Sequence, residues 1–529
     1  MAEKKEFRAI KGTRDILPPD SALWNWFEQT ARETFELYGF RDIRTPIFEE
    51  TELFARSIGE ETDVVSKEMY TFADQAWLGL DRVAKSIVDQ MPEHDDSEAR
   101  GAFVDRVDFL LRNMATAIQM QAMPNTPENQ NRFAAIKLKL AAVDSPVNPH
   151  GPGIAQFKAS ILEIQHLVSD LRLGELLTLR PEGTASVCRA YIEHGMQTRP
   201  GNQKLYYMGP MFRRERPQKG RYRQFYQIGA EVLGQSDAPG IDAEVIEMLL
   251  VLFRRVGLKK IRLHVNSIGC KDCRPKYVEL LREKLREIVK ENPNALGADS
   301  QRRIETNPLR VLDSKVPEEQ PIIEKLPRIS EHLCEACRAH FAALKVEMKL
   351  RGIEWEENWR LVRGLDYYTR TTFEVTAEGL GSQNAVCGGG RYDGLVEMLG
   401  GPPTKGIGFA IGSDRAILSI QETGDLPDLP GLAVFVAWMG ENAYLPAIQI
   451  TRKLREAGLA VELPAEELKF KKALGLADKL GARYALILGE DEVAAGVFTL
   501  KRLKDADQRK LNENDLLEYL ESERRGTRA

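Results

Sequence analysis

Residues 212–225 read FRRERPQKGRYRQF, with Arg213, Arg214, Arg216, Lys219, Arg221 and Arg223 gathered around one turn signal at Pro217 to Gly220 and an aromatic residue at each end. The flanking stretches, KLYYMGPMF before and QFYQIGAEVLG after, are rich in aromatic and β-branched residues. The whole therefore reads as an antiparallel hairpin carrying a long basic loop. Guanidinium forks match phosphate oxygens two at a time, and an aromatic ring at a strand end can stack on a base. A charge run is also the ordinary composition of a solvated hairpin. By itself the loop leaves both readings open.

Three further stretches decide between them: TLRPEGT at 178–184, LVRGLDYYTRTTF at 361–373 and CGGGRYDGL at 387–395. The basic loop resembles motif 2 of the class II aminoacyl-tRNA synthetases, in the wording of the histidyl family, and the last two stretches resemble signatures that other class II enzymes lack. The resemblance covers nearly all of the chain outside residues 73–175. It implies an α/β fold of the α+β kind, with an antiparallel catalytic sheet, helical insertions and a C-terminal α/β anticodon-binding domain. It also implies ATP with Mg2+, L-histidine and tRNA(His) as ligands, and a homodimer.

Composition agrees with an intracellular multidomain enzyme. A chain of 529 residues exceeds what one hydrophobic core can organise. No apolar run is long enough for a membrane span, and the N-terminal MAEKKEFRAIKGTRDILPPD lacks the apolar centre of a secretory signal, so a cytoplasmic location is expected. Six cysteines do not make a disulfide scaffold in a chain this long. A formal net charge of −5 offers little long-range steering of nucleic acid, so phosphate binding must be local.

From Ser21 to Tyr38, apolar residues Leu23, Trp26, Phe27, Ala31 and Phe35 recur at helical spacing, and Gly39 ends the run. FRDIRTPIFE follows as an extended segment, whose internal Pro46 suits an edge or interface strand. The resemblance makes these two elements motif 1, the dimer interface. MYTF and LLTLRP look like paired strands, although residues 73–175 lie between them.

That insert reads as helical. Val104, Val107, Leu110, Leu111, Met114 and Ile118 share one helix face, and Ile154, Phe157, Ile161, Ile164, Leu167 and Leu171 share another. Weaker patterns at Leu80 to Met91 and Arg132 to Val143 bring the expectation to a bundle of about four helices. No catalytic constellation lies within it, and His150 and His166 read as surface or packing residues.

After a strand at Ile261 to Val265, a mostly helical region from Gly269 to about Trp359 holds Cys270, Cys273, Cys334 and Cys337 in two CxxC pairs. Four such thiolates can close a tetrahedron around structural zinc, and they can equally be buried or helix-terminal thiols; spacing alone does not choose. Cys188 and Cys387 read as packing residues. Beyond GDLPDLPG, alternating strand and helix patterns describe a small α/β domain. The expected division is a catalytic core at 1–72, 176–268 and 360–424, the helical insert at 73–175, an insertion domain on the tRNA acceptor side at 269–359, and the anticodon-binding domain at 432–529.

Amino-acid activation is attack of a carboxylate on the α-phosphorus of ATP, which demands positioning and charge neutralisation more than covalent help. The resemblance implies that Arg213 and Arg363 carry the catalysis, Arg363 acting as a cation at the α-phosphate. It assigns ATP binding to Arg213, Arg221, Phe225 and Arg415. It further implies a histidine site of Glu182, Gly183, Thr184, Gln227, Glu231, Tyr367, Tyr368 and Tyr392, where Glu231, Tyr368 and Tyr392 read the ring nitrogens. Asp414 stands where the family usually has Glu, which puts that carboxylate's role in question. Two other readings are a catalytically dead paralogue resembling the regulatory subunit of ATP phosphoribosyltransferase, and a synthetase-like sensor fused to a kinase. The retained arginines and C-terminal domain count against the first, and the absence of kinase motifs against the second.

Overall fold

A computed structural model describes residues 6–59, 62, 64–73, 104, 105, 107, 127–143, 154–169, 176–362, 364–379, 384–423, 426, 427, 429 and 431–526. The chain forms two compact units, residues 1–15 with 27–425 and residues 16–26 with 426–529. Arg363 lies outside the described residues.

The first unit is organised by an eight-stranded sheet. Its strands are β1 (Arg41–Asp42), β5 (Gln203–Phe212), β6 (Gln224–Gly234), β7 (Ile261–Ser267), β8 (Glu356–Glu357), β9 (Thr369–Ala377), β10 (Ala385–Arg391) and β11 (Lys405–Gly412). Their spatial order is β1-β5-β6-β11-β10-β9-β7-β8, antiparallel except for the parallel edge pairs β1 with β5 and β7 with β8. The basic loop is the connection of a hairpin, as its flanks predict: Phe212 pairs with Gln224 and Gln203 with Leu233. The helix at Pro239–Arg255 packs against the helix at Glu335–Leu350, and the mostly helical segment expected after Gly269 contains helices at Arg274–Glu291, Ala298–Thr306 and Glu335–Leu350.

A separate three-stranded sheet joins β2 (Phe48–Glu50), β3 (Tyr70–Ala73) and β4 (Leu176–Leu179) in the order β2-β4-β3. MYTF and LLTLRP do pair across the insert, with Tyr70 opposite Leu179 and Ala73 opposite Leu176. The insert thus leaves and re-enters at one ladder step. Within it, helices at Pro127–Val143 and Ile154–Ser169 pack together and bury Ile136, Leu140, Ile161 and Ile164, with Lys139 and Glu163 paired beside them. Of the 104–118 helical run only Val104, Asp105 and Val107 are described, in helical conformation with Val107 buried. The 80–91 run and His150 lie outside the described residues, and His166 is exposed.

The second unit has a five-stranded sheet in the order β13-β12-β14-β15-β16, formed by β12 (Val434–Trp438), β13 (Val461–Glu462), β14 (Tyr484–Leu488), β15 (Phe498–Arg502) and β16 (Gln508–Leu511). Side chains alternate across a strand, and β12 is apolar on both faces. Val434 and Val436 pack with the helices at Tyr444–Glu456 and Glu513–Gly526, whereas Phe435 and Ala437 pack with Phe470–Lys479 on the other face. This is the α/β sandwich expected beyond the GDLPDLPG linker. Sequence patterning missed β16 and the short helix at Glu490–Ala495.

Candidate active site

Strand β6 sets the axis of the site. Phe225, Gln227, Gly229 and Glu231 occur at every second position, so they share one face of the sheet. The neighbouring strand β11 places Gly412 opposite Gln227, Ala410 opposite Gly229 and Gly408 opposite Glu231. These small residues leave room above the sheet. A Cβ on Gly408 would lie 1.7 Å from Glu231 Oε2, and one on Gly183 or Gly229 would come within 2.3 Å of the Tyr207 ring. Glycine is required here for close approach, which a one-sequence reading of GIGFAIG does not reveal.

At the Phe225 end the sheet borders an open cavity of about 420 Å³. Arg213, Arg221, Phe225 and Arg415, all expected at ATP, line it together with Gln227 and Gly388. The Arg213 guanidinium lies 5.3 Å from the Phe225 ring centre and donates from Nε to Pro181 O at 3.0 Å. Arg221 pairs with Glu215, and Arg415 donates to Gly220 O at 3.2 Å and to Ala385 O at 3.0 Å, tying the loop to β10. Burial lowers the pKa of Arg415 below its ordinary value, and the charges of Arg221 and Arg213 add to the effect. Guanidiniums crowded in this way are stabilised by an arriving polyanion. Asp313, Lys315 and Glu374 also line the cavity, and no local motif pointed to them. Cys387, read as a packing residue, is buried and borders the cavity as well.

Asp414 is 4% exposed and has both oxygens engaged: Oδ1 accepts from Arg14 Nη2 at 2.7 Å and Oδ2 from the Tyr226 backbone N–H at 2.9 Å. The shorter carboxylate therefore holds the N-terminal segment and the root of the basic loop. Arg14, whose guanidinium also lies 4.6 Å from the Tyr222 ring centre, was not singled out from sequence.

At the Glu231 end the sheet is covered by a cluster of buried acids and tyrosines. Glu182, Thr184, Glu231, Tyr367, Tyr368 and Tyr392 are all under 8% exposed. Glu182 accepts the backbone N–H groups of Thr184 at 2.7 Å and Ala185 at 2.8 Å, satisfying the first turn of the helix at Thr184–Glu193. Glu231 accepts from Thr184 Oγ1 at 2.7 Å and from Tyr392 Oη at 2.6 Å. The Tyr367 ring stands 4.7 Å from that of Tyr368 and 5.9 Å from that of Tyr392. Burial raises Glu182 above the usual carboxylate range and pushes Glu231 up to about 8, a value its two hydroxyl donors restrain and the nearby Glu182 reinforces. Burial, followed by the neighbouring Glu231 carboxylate, raises Tyr392 well above its ordinary value, so its hydroxyl stays a donor. Gln227 Oε1 is buried with no hydrogen-bond partner among the described residues. An orphaned buried acceptor on the strand that also carries Glu231 marks a place for a cationic or N–H-bearing ligand.

The four cysteines of the CxxC pairs meet despite the long gap between pairs. Their sulfurs all lie within 4.8 Å of one another, with Cys270 to Cys273 and Cys270 to Cys334 at 3.8 Å and Cys273 to Cys337 at 3.9 Å. A zinc tetrathiolate with bonds of about 2.3 Å has edges of about 3.8 Å, so the arrangement fits the ion. Burial would raise the Cys270 thiol, but the Asp272 amide and its thiol neighbours outweigh it and bring it down to about 7.

An antiparallel sheet carrying an arginine-lined cavity beside a cluster of buried acids and tyrosines is what the resemblance to the class II aminoacyl-tRNA synthetases implies. A family model described as histidyl-tRNA synthetase matches residues 156–416, and one described as anticodon binding domain matches residues 433–523. A histidine–tRNA ligase of Solibacter usitatus is 44% identical over 516 residues, covering 97% of this chain and 99% of that one. One from Koribacter versatilis is 44% identical over 517 residues, covering 97% and 96%. The apo histidyl-tRNA synthetase structure from S. aureus superposes with a TM-score of 0.66 at 30% identity, covering 98% of this chain and 100% of that one. The chain belongs to the histidyl-tRNA synthetase family, and it is an aminoacyl-tRNA ligase acting on histidine.

Proposed function

We propose that the cavity and the pocket are the two halves of one site in which this histidine–tRNA ligase joins histidine to AMP before transfer to tRNA(His). The unpartnered Gln227 Oε1 between the two regions carries the reading. With Glu182 and Thr184 it receives the substrate α-ammonium group. Glu231, Tyr368 and Tyr392 then hold the imidazole, with Tyr367 and Gly183 shaping the wall. A neutral imidazole carries one N–H and one bare nitrogen, and a protonated Glu231 carries one O–H, so one ring nitrogen can donate while the other accepts from Glu231. Side chains lacking that pair would leave buried polar groups unpaired, a stronger basis for selection than an apolar slot.

The α-carboxylate then points back along β6 toward the arginines. Arg213 holds the α-phosphate, Arg221 the outer phosphates, and Arg415 the γ-phosphate and adenine face opposite Phe225. Arg363 is assigned as a catalytic cation at the α-phosphate on its place in LVRGLDYY alone. Glu215 and Glu374 border the same cavity and supply oxygens of the kind Mg2+ accompanying ATP would take. Together these groups neutralise charge that develops on the phosphorus oxygens as pyrophosphate leaves.

The wider reading assigns 1–72, 176–268 and 360–424 to the core, 269–359 to the acceptor arm of the tRNA and 432–529 to the anticodon, with the 73–175 insert outside catalysis. Cys270, Cys273, Cys334 and Cys337 hold one structural zinc ion. Exposed Phe48 and Phe72 on the three-stranded sheet, with rings 6.4 Å apart, and exposed Ile47 just before β2 support a homodimer through this face. No helix among the described residues is long and apolar enough to cross a membrane, in keeping with a cytoplasmic location.

The test is pyrophosphate exchange with each of the twenty amino acids, together with binding of histidinol, which lacks the carboxylate. Exchange should occur with histidine alone, and histidinol should bind competitively with histidine without supporting exchange. Exchange with several amino acids, or histidinol competing with ATP instead, would show that the pocket has been assigned wrongly.

A further inference from the structure

The four-cysteine cluster and the histidine pocket are joined by covalent neighbours and by one buried guanidinium. Cys273 is followed by Arg274, which opens the helix at Arg274–Glu291 and donates its backbone N–H to Cys270 O at 2.9 Å. From there Arg274 Nη1 donates to the backbone carbonyl of Tyr368. On the other side of the cluster, Gly269 O accepts the Arg370 N–H at 2.8 Å, and the Ile268 N–H donates to Arg370 O at 2.8 Å. Three bonds thus fasten the cysteine corner to residues 368–370. Arg370 has φ of +50°, an uncommon left-handed conformation for its residue type, and Arg370 Nη1 is further pinned to Asp237 Oδ2 at 2.7 Å. Such backbone persists only where its surroundings over-determine it.

The packing is continuous as well: Cys273, Cys337, Tyr277, Tyr367, Tyr368 and Tyr392 belong to one buried cluster. Gly269 fits the corner for a steric reason, since a Cβ there would sit 2.8 Å from Cys273 Sγ. Of the charges facing Arg274, Asp366 and the sulfurs of Cys270 and Cys273 favour its cationic form against the cost of burial. When Zn2+ binds four thiols, four protons leave to solvent and a doubly negative centre remains beside this guanidinium.

We propose that the metal centre positions the histidine-reading turn: zinc at Cys270, Cys273, Cys334 and Cys337 fixes Arg274, and Arg274 fixes the Tyr367–Tyr368 segment, so that metal occupancy sets the affinity for histidine and leaves that for ATP alone. The proposal rests on the zinc reading above, but it adds a consequence that a purely structural zinc ion lacks. Arg274 acts through Tyr368 and is a positioning residue. The arginines of the cavity are carried by the basic loop and the helix at Ser413–Thr423, with Asp313 and Lys315 reaching it from the insertion region and Glu374 from β9, so its cations do not share this support.

The experiment uses the full-length protein in three states, loaded with Co2+, stripped by chelator and reloaded, and in the variants Arg274→Gln and Arg274→Lys. Cobalt absorption reports the tetrahedral thiolate site, and calorimetry reports histidine and ATP dissociation constants. One cobalt should bind per chain. Stripping should weaken histidine binding by about tenfold or more, with ATP changed less than about twofold, and reloading should restore it. Arg274→Gln should keep the cobalt spectrum yet bind histidine as weakly as the stripped parent, with Arg274→Lys between. Equal histidine affinity with and without metal, or parental affinity in Arg274→Gln, would overturn the coupling while leaving zinc in place. A chain that binds no metal would overturn the zinc reading and the coupling together. Should the stripped chain unfold, Arg274→Gln decides the matter alone.

Discussion

The two halves of the site are built from opposite materials. The half proposed for the nucleotide is open and lined by arginines, and Arg415 is made less basic first by burial and then by Arg221 and Arg213, so an arriving polyanion would stabilise it. The histidine half is closed and already hydrogen-bonded, with Glu231 held by Thr184 and Tyr392 before any ligand enters. In the proposed division one half neutralises charge and the other compares shapes and protons. The contrast predicts that rate and selectivity can be altered separately, because they would depend on different side chains along the same strand.

The largest effect should follow from removing a cation in the open half. Arg213→Ala and Arg363→Ala should each slow adenylate formation by roughly a hundredfold or more, about 3 kcal/mol of barrier, with histidine affinity changed far less. Pyrophosphate exchange at saturating substrates measures this. An equal loss in histidine affinity would erase the division between the halves.

A smaller effect is expected from crowding the closed half without touching a polar group. Gly408→Ala puts a methyl group where Glu231 Oε2 now lies, so the carboxylate must turn away from Tyr392 or Thr184. The Michaelis constant for histidine should rise by about tenfold, roughly one hydrogen bond lost from a buried polar group, while that for ATP holds. Matched changes in both constants would mean that the strand as a whole has shifted.

Smaller again is a pH effect on stability. Glu231 has its pKa raised to about 8 in the folded chain, so its protonated form is favoured by folding. Its contribution is fully present below the ordinary carboxylate value of about 4.3 and is lost as pH rises through about 8. Relative to Glu231→Gln, the parent should therefore lose stability by a few kcal/mol between pH 5 and 8.5, as read from urea unfolding midpoints. A constant difference between the two proteins across that range would show that Glu231 is ionised throughout.

The least effect should come from the insert. Ala73 and Leu176 face each other across the β3–β4 ladder, so residues 74–175 can be replaced by a two-residue glycine-containing turn without changing register. Histidine activation should stay within about twofold of the parent, since hairpin ends tolerate insertions and deletions. A folded deletion variant without exchange activity would place the insert within the working core.

What could be read from sequence was local. The basic loop and the alternation of β12 follow from patterns within a dozen residues of each strand, whereas the β3–β4 pairing closes across residues 74–175. Glu182, Glu231 and Tyr392 were reachable only through a resemblance, because one-sequence patterns do not say that 47 or 161 positions along the chain will be bridged by a hydrogen bond. Arg14 and Asp414, 400 positions apart, and Lys315, which reaches the cavity from a helical segment, left no local signal. The four cysteines lie between these cases. Spacing named the ligands, but only folding shows that their sulfurs form a tetrahedron's edges.

The division of labour is tested most directly by Glu231→Gln in steady-state pyrophosphate exchange, with histidine and ATP varied in turn at pH 7.5. The substitution keeps shape but puts an NH2 group, which cannot accept, where one oxygen now accepts from Thr184 or Tyr392, and it removes the titratable proton. The histidine constant should rise by about tenfold to a hundredfold, the ATP constant should stay within about twofold, and the maximal rate should fall by a smaller factor than in Arg213→Ala. An unchanged histidine constant, or a rise in both constants together, would contradict the account.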